Sequence, residues 1–269
     1  WAASMPTGDA VADVLVVGGG AAGLSTAGAL VRRGVAATVL EGADRLGASW
    51  TQRYDALRLH TTRRLSGLAH RPIPADQPRY LAKDAFAAYL RSYAQVMALD
   101  VSLGERVLRL HALPRSADGA RWQLETSRGR RRARSVVLAT GRCAVPVLPD
   151  TPGLDGFAGE WLHSSAYVRA SSLAGRRVLV VGLGNSGAEI AADLAAQDCA
   201  PVLVAVRTPP PIVRRDLFGL VPVQRLGIAL SALHAPRLAD RLGALLRRVA
   251  LGNLAPFGLG EAAWGAFAT

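Results

Sequence analysis

Apolar positions along the chain first gather in Asp13-Val14-Leu15-Val16-Val17, a run rich in β-branched residues with no polar alternation after Asp13. Such a run predicts a strand buried on both faces. The period then changes: Gly18-x-Gly20-x-x-Gly23 interrupts the strand, and Leu24 to Arg33 has the spacing of a helix stopped by Gly34. A second apolar run, Ala37 to Leu40, ends in Glu41. The same succession returns as Arg177-Val178-Leu179-Val180-Val181, then Gly182-Leu183-Gly184-Asn185-Ser186-Gly187, then a helix through Glu189 to about Ala196. Its second strand, Val202 to Val206, ends in Arg207. Between the two repeats, Arg121 to Thr126 and Arg134 to Leu138 read as paired strands. From Leu217 to Leu254, Leu226, Ile228, Leu230, Leu233, Leu238, Leu242, Leu245, Leu246 and Val249 recur at helical spacing, interrupted by Arg237, Arg241, Arg247 and Arg248. A stripe of this kind packs on its own core, caps a pocket or lies on a membrane.

This order of elements predicts an α/β fold of two Rossmann-like units in tandem, over residues 10–150 and 151–269, the second carrying a C-terminal helical segment. The 269 residues suffice for two such cores, and 28 Gly with 15 Pro are too few for a disordered or fibrous chain. Val14 to Val31 is uncharged over a membrane-spanning length, but its Gly18, Gly19, Gly20, Gly23, Ser25 and Gly28 fit strand, turn and helix better. No transmembrane segment is expected. Cys143 and Cys199 are the only cysteines and no basic region precedes the first apolar run, which fits a cytoplasmic protein.

The glycine spacing has a physical reason. Gly18 permits the tight turn, Gly20 lets the backbone approach a pyrophosphate at a helix N-terminus, and Gly23 lets helix and strand pack closely. Glu41, eighteen positions past Gly23, is placed to accept hydrogen bonds from a ribose diol. Arg207 stands twenty past Gly187, where the first unit carries its acid, and the charge is reversed. A guanidinium can bind a ribose 2′-phosphate that a carboxylate would repel. The first unit is thus expected to take a cofactor with a free adenosine ribose and the second NADPH; the reading of Arg207 as a surface arginine past a strand end stands beside it. FAD beside NADPH is the common pairing, which makes the protein an oxidoreductase. Disulfide reduction is disfavoured because Cys143 and Cys199 form no Cys-x-x-Cys pair. His60, His70, His111, His163 and His234 are scattered, so no metal site is expected, and no Gly-x-Ser-x-Gly elbow suggests a hydrolase.

A net charge of +12 raises nucleic acid as a partner, and Arg128, Arg130, Arg131, Arg132 and Arg134 form the densest cluster. Their spacing is that of a charged hairpin tip, and no aromatic residues are interleaved to stack bases. No nucleic-acid partner is expected; an arginine surplus equally serves an anionic dinucleotide.

Between the two glycine turns, Phe157-Ala-Gly159-Glu-Trp-Leu-His163-Ser-Ser-Ala-Tyr167 resembles the identifying motif of flavin-containing monooxygenases, class B flavoprotein monooxygenases. The related Baeyer-Villiger enzymes close that motif with tryptophan, so Tyr167 is similar to the flavin-containing and N-hydroxylating branch. Gly47-Ala48-Ser49-Trp50, Arg53-Tyr54-Asp55, Leu57-Arg58-Leu59-His60-Thr61 and Ala139-Thr140-Gly141 resemble bacterial members and the plant YUCCA-type group. The resemblance implies that NADPH reduces FAD and that oxygen then forms a flavin C4a-hydroperoxide. This species oxygenates a small molecule, either a nitrogen or sulfur nucleophile or an arylpyruvate-like ketoacid. It implies that Gly18, Gly20, Gly23 and Glu41 hold FAD with Trp50, Arg53 and Thr140 near it, and that Gly182, Gly184, Asn185, Ser186, Gly187 and Arg207 hold NADPH. Phe157, Gly159, His163 and Tyr167 belong at the domain junction; there His163 can equally order a loop, and Thr140 can equally fix a turn.

The family normally continues with a return into the FAD domain that includes a second Ala-Thr-Gly-Tyr-like segment. None follows here, so the return is expected to be absent and flavin retention weak. A non-oxygenating FAD/NAD(P)H oxidoreductase and an incompetent fragment that only binds nucleotide are the alternative readings.

Overall fold

The computed structural model describes residues 10–114, 117–197, 201–210, 212, 215–217, 221–232, 241, 243–245, 248, 249 and 251–259. The chain divides into two compact units, one of Trp1–Arg53 with Leu57–Ser165 and the other of Tyr54–Ala56 with Ala166–Thr269. The first therefore runs past residue 150, and the second takes in three residues from early in the chain.

The first unit is built on β1 (Val11–Val17), α1 (Ala21–Val31) and β2 (Ala37–Glu41). Short helices α2 (Ala48–Thr51) and α3 (Arg63–Ser66) lead to the longer α4 (Lys83–Val96) and to β3 (Asp100–Leu103), β4 (Val107–Ala112), β5 (Trp122–Thr126) and β6 (Gly129–Leu138). The sheet order is β3-β2-β1-β6-β5-β4, with β1 parallel to both β2 and β6. The uncharged stretch from Val14 is thus a central strand, a turn and a helix. Val14 and Val16 face a core made with Leu24 and Ala27 of α1 and Phe86, Leu90 and Tyr93 of α4. Leu15 and Val17 face the opposite way, onto Leu40, Leu124 and Ala133. Burial on both faces explains the absence of polar alternation. Gly28 lets α1 and α4 meet, because a β-carbon there would clash with the Tyr93 hydroxyl. The Tyr93 hydroxyl in turn donates to the Ala69 carbonyl at 2.9 Å.

The basic cluster is not a hairpin tip. β6 begins at Gly129, so only Arg128 lies in the turn and Arg130 to Arg134 belong to the strand. Arg131 reaches Glu105, which is 0% exposed, with Nε to Oε1 at 2.9 Å and Nη2 to Oε2 at 2.8 Å. Arg132 pairs with Asp118 at 2.6 Å and Arg134 with Asp13 at 3.1 Å. Ser102 and Thr126 hydroxyls also donate to Glu105, at 2.7 and 2.9 Å. Burial pushes the Glu105 carboxyl up, but the hydrogen bonds from Arg131, Ser102 and Thr126 and the Arg131 charge outweigh it and hold it at about 2, below the ordinary 4.5.

The second unit contains β7 (Val178–Val181), α5 (Asn185–Ala195) and β8 (Val202–Ala205), with β7 and β8 parallel. A short pair, β9 (Asp216–Leu217) and β10 (Val221–Pro222), precedes α6 (Val223–Ala232). α5 buries Ile190 and Leu194, while Leu179, Val181 and Leu203 of the two-stranded sheet are exposed. Of the expected stripe from Leu217 to Leu254, α6 is a helix, and residues 233–240 lie outside the described residues, as does Cys199. No helix among the described residues is long and apolar enough to cross a membrane.

Glu105→Gln is expected to cost about 3 kcal/mol at neutral pH, because it takes the charge out of a buried ion pair. A carboxyl lowered from 4.5 to about 2 in the folded state stabilises fully above pH 5 and loses that contribution as pH falls toward 2. The gap between wild type and variant in urea unfolding should therefore shrink by more than half between pH 7 and pH 3. A gap that does not change with pH counts against the pairing.

Candidate functional site

In the first unit the chain leaves β1 at Gly18, whose φ of +109° is open to glycine. Its N–H donates to the Leu40 carbonyl at 2.8 Å, tying the turn to the end of β2. A β-carbon on Gly23 would lie 1.9 Å from the Gly18 carbonyl oxygen, so α1 cannot pack here with any larger residue. At Gly20, the N-cap of α1, a β-carbon would meet nothing within 4 Å, and no side chain caps the helix. The start of α1 thus has no side-chain cap and open space beside Gly20, which suits an anion.

Glu41 stands beside this turn. Its Oε2 accepts from the Gly19 N–H at 2.7 Å and its Oε1 from the Ala43 N–H at 2.8 Å. Each oxygen keeps a lone pair for a further donor, which is what a ribose diol requires. Gly19 did not stand out in the motif, yet a β-carbon there would lie 2.9 Å from Glu41 Oε2 and 2.6 Å from Leu46 Cδ2. The unbroken Gly18-Gly19-Gly20 run was the signal for it. Thr140 joins the group from the end of β6, with its Cα 3.4 Å from where a β-carbon on Gly18 would be.

Trp50 lies on α2 and Arg53 just after it. The Trp50 ring packs edge-on against Phe86 at 4.9 Å between centroids, a core contact. Arg53 Nε donates to the Ser49 carbonyl at 3.3 Å and Nη2 to that of Cys143 at 3.5 Å. The sole lysine, Lys83, was not singled out by sequence. It is buried, and its Nζ donates to the carbonyls of Thr51 at 3.0 Å and Arg53 at 2.7 Å, holding the end of α2.

The second unit repeats the turn. Gly182 has φ +93° and donates to the Ala205 carbonyl at 2.9 Å, and a β-carbon on Gly187 would lie 2.2 Å from the Gly182 oxygen. Gly184 caps α5 at φ −75°, ψ −176°, close to the −80°, −174° of Gly20, and is equally open. Asn185 and Ser186 are exposed in the first turn of α5. Val181, Gly182, Ala205, Val206 and Arg207 line an open cleft of about 510 Å³.

The hydrogen bond of each turn aligns the two units: Ala205 matches Leu40, so Val206 stands where Glu41 does and Arg207 one position beyond. The spacing from the last glycine had placed Arg207 at the acid's own position. An apolar residue replaces the acid, and Arg207, the next residue, is among those that line the cleft.

The motif ahead of β7 is divided between the units, with Phe157, Gly159 and His163 in the first and Tyr167 in the second. The Phe157 ring lies over Gly159, where a β-carbon would meet it at 2.5 Å. His163 Nδ1 accepts from the Ser165 N–H at 3.1 Å and lies 2.8 Å from the Ser165 hydroxyl. With Nδ1 accepting, the proton of a neutral ring sits on Nε2, and the imidazole is tied to its own loop. Tyr167 is 3% exposed and its hydroxyl donates to Asp193 Oδ2 at 2.5 Å.

The family model for flavin-binding monooxygenase-like proteins matches residues 11–223. Indole-3-pyruvate monooxygenase YUCCA1 of Oryza sativa subsp. japonica is 39% identical over 253 residues, covering 93% of this chain and 61% of that protein. Probable indole-3-pyruvate monooxygenase YUCCA4 of Arabidopsis thaliana is 37% identical over 259 residues, with 95% and 61% covered. Among solved structures, a flavin-containing monooxygenase from Stenotrophomonas maltophilia superposes with a TM-score of 0.69 at 33% identity, over 76% of this chain and 60% of that one. The chain thus spans about 61% of the length of these two curated relatives.

Gly23→Ala and Gly187→Ala separate the two turns. Each β-carbon must displace a backbone oxygen, so each variant should lose at least about tenfold in affinity for its own dinucleotide and retain the other. Equilibrium titration of both variants with FAD and with NADPH reads this directly.

Proposed function

The chain belongs to the flavin-binding monooxygenase-like family, and on that premise we propose that it binds FAD at the first glycine turn and NADPH at the second, in flavin-dependent oxygenation of a small molecule by molecular oxygen. The observation that carries this reading is the repeated turn with opposite groups beside it: a carboxylate in the first unit and a guanidinium in the second. FAD supplies the redox chemistry and the reactivity toward oxygen, and NADPH supplies the hydride.

The chain's own residues bind and orient. The first turn of α1 offers uncapped N–H groups to a pyrophosphate, and the space at Gly20 lets the phosphates approach the backbone. Glu41, already oriented by Gly19 and Ala43, accepts from the adenosine ribose and repels a 2′-phosphate. In the second unit the first turn of α5 takes the pyrophosphate, and Arg207 takes the 2′-phosphate through charge-assisted hydrogen bonds. The absence of a carboxylate at Val206 removes the group that would select against that phosphate. The curated relatives are named for indole-3-pyruvate, so an arylpyruvate-like ketoacid is the first substrate to try, with nitrogen and sulfur nucleophiles next.

The first experiment is the visible spectrum of the chain with added FAD, followed by anaerobic NADPH and then NADH. Bleaching of a bound flavin band is the expected result, and a spectrum that remains that of free FAD counts against the reading. Arg207→Ala should weaken NADPH by about tenfold or more and leave NADH within about twofold, since only NADPH loses a charged partner. Equal loss for both nucleotides would place Arg207 outside the 2′-phosphate site.

A further inference from the structure

Tyr54 and Asp55, singled out by resemblance but unused by the two nucleotide sites, belong to the second compact unit although they directly follow Arg53 of the first. Tyr54 is 5% exposed, and its hydroxyl donates to Glu189 Oε2 at 2.5 Å. Arg215 Nη2 meets the other oxygen of Glu189 at 2.9 Å. The Tyr167 hydroxyl holds Asp193, one turn further along α5. The two tyrosine rings are neighbours, tilted at 56° with centroids 6.1 Å apart. The strap itself is fastened by the Asp55 N–H donating to the Val168 carbonyl at 2.8 Å and by the Arg169 pair with Asp55 at 3.2 Å.

These bonds converge on the helix whose first turn forms the second dinucleotide site. Glu189 and Asp193 are like charges four residues apart on α5, an arrangement that destabilises a helix unless each is answered. Glu189 also lies only a few residues from the turn that must receive phosphate, where an uncompensated carboxylate opposes an anion. Two buried hydroxyls and one guanidinium answer both charges.

We propose that Tyr54 and Tyr167 are positioning residues for NADPH: through Glu189 and Asp193 they fix α5 and temper its negative charge, so that the N–H groups of Asn185 to Gly187 are set for the pyrophosphate. This rests on the reading of the second turn as the NADPH site. Neither tyrosine touches the nucleotide; both act through the helix.

The test titrates NADPH and FAD into wild type, Tyr54→Phe, Tyr167→Phe, Glu189→Gln and the double variant Y54F/E189Q, with unfolding temperature measured in the absence of nucleotide. Each phenylalanine variant should weaken NADPH by about tenfold and leave FAD within about twofold, since a hydroxyl bonded to a charged group is lost. The double variant should lose no more than the larger of Y54F and E189Q alone, because both remove one interaction. Unchanged NADPH affinity in the phenylalanine variants, with or without a lower unfolding temperature, overturns the proposal. So does an equal loss of NADPH and FAD, or a double variant whose losses add. Should one phenylalanine variant fail to fold, the other decides: undiminished NADPH affinity there overturns the proposal as well. A wild-type chain that binds FAD but not NADPH overturns the reading of the second site, and the wild-type arm shows which of the two has failed.

Discussion

Each of the two units turns on one close approach. A carbonyl oxygen at the end of a buried strand sits where the β-carbon of a residue in the following helix would be, 1.9 Å from it at Gly23 and 2.2 Å at Gly187. This sets how near the helix can lie to the strand and where its first N–H groups point. A helix start without a side-chain cap and a cradle open at Gly20 and Gly184 accompany that reversal in both units. At the turns, the units differ in what the next strand delivers: Glu41 in the first, Val206 and then Arg207 in the second.

The antiparallel arm of the first unit serves the same turn from a distance. Glu105 donates its N–H to the Glu41 carbonyl at 2.8 Å, and the neighbouring Gly104 donates to Ala43 at 2.7 Å. The carboxylate of Glu105 is anchored by Arg131 on β6. The backbone carrying Glu41 is therefore held by an ion pair whose arginine comes from the cluster that suggested nucleic acid. Arginines 131, 132 and 134 have carboxylate partners within the fold. Their pairing gives these three of the clustered arginines a structural role, and it leaves the net charge of +12 unchanged.

Much of this was legible in the sequence where a local rule has one physical solution. The two strand, turn and helix successions were visible because apolar runs and glycine spacing leave little else to fold. Gly34, with φ +75°, closes α1 as a helix-stopping glycine does. The basic hairpin was misread because charge was taken as the mark of a turn, whereas Arg131 sits inside a strand to meet an acid twenty-six residues earlier. No local pattern announces such a partner. Lys83 and Tyr54 were missed as anchors for the same reason: a buried lysine on two carbonyls and a tyrosine on a distant glutamate are long-range facts. The placement of Arg207 was off by one because spacing was counted from the helix rather than from the hydrogen bond that ends the strand.

The strap at Tyr54–Ala56 has a consequence for modularity. A compact unit that includes three residues from more than a hundred positions upstream is not a cassette. Cutting the chain between Ser165 and Ala166 would yield a C-terminal piece in which Glu189 keeps Arg215 but loses Tyr54, and Arg169 loses Asp55. Recombination that exchanged the second unit alone would carry over the helix and leave its counterpart behind. Selection on either segment therefore acts on both, and the two can change only together.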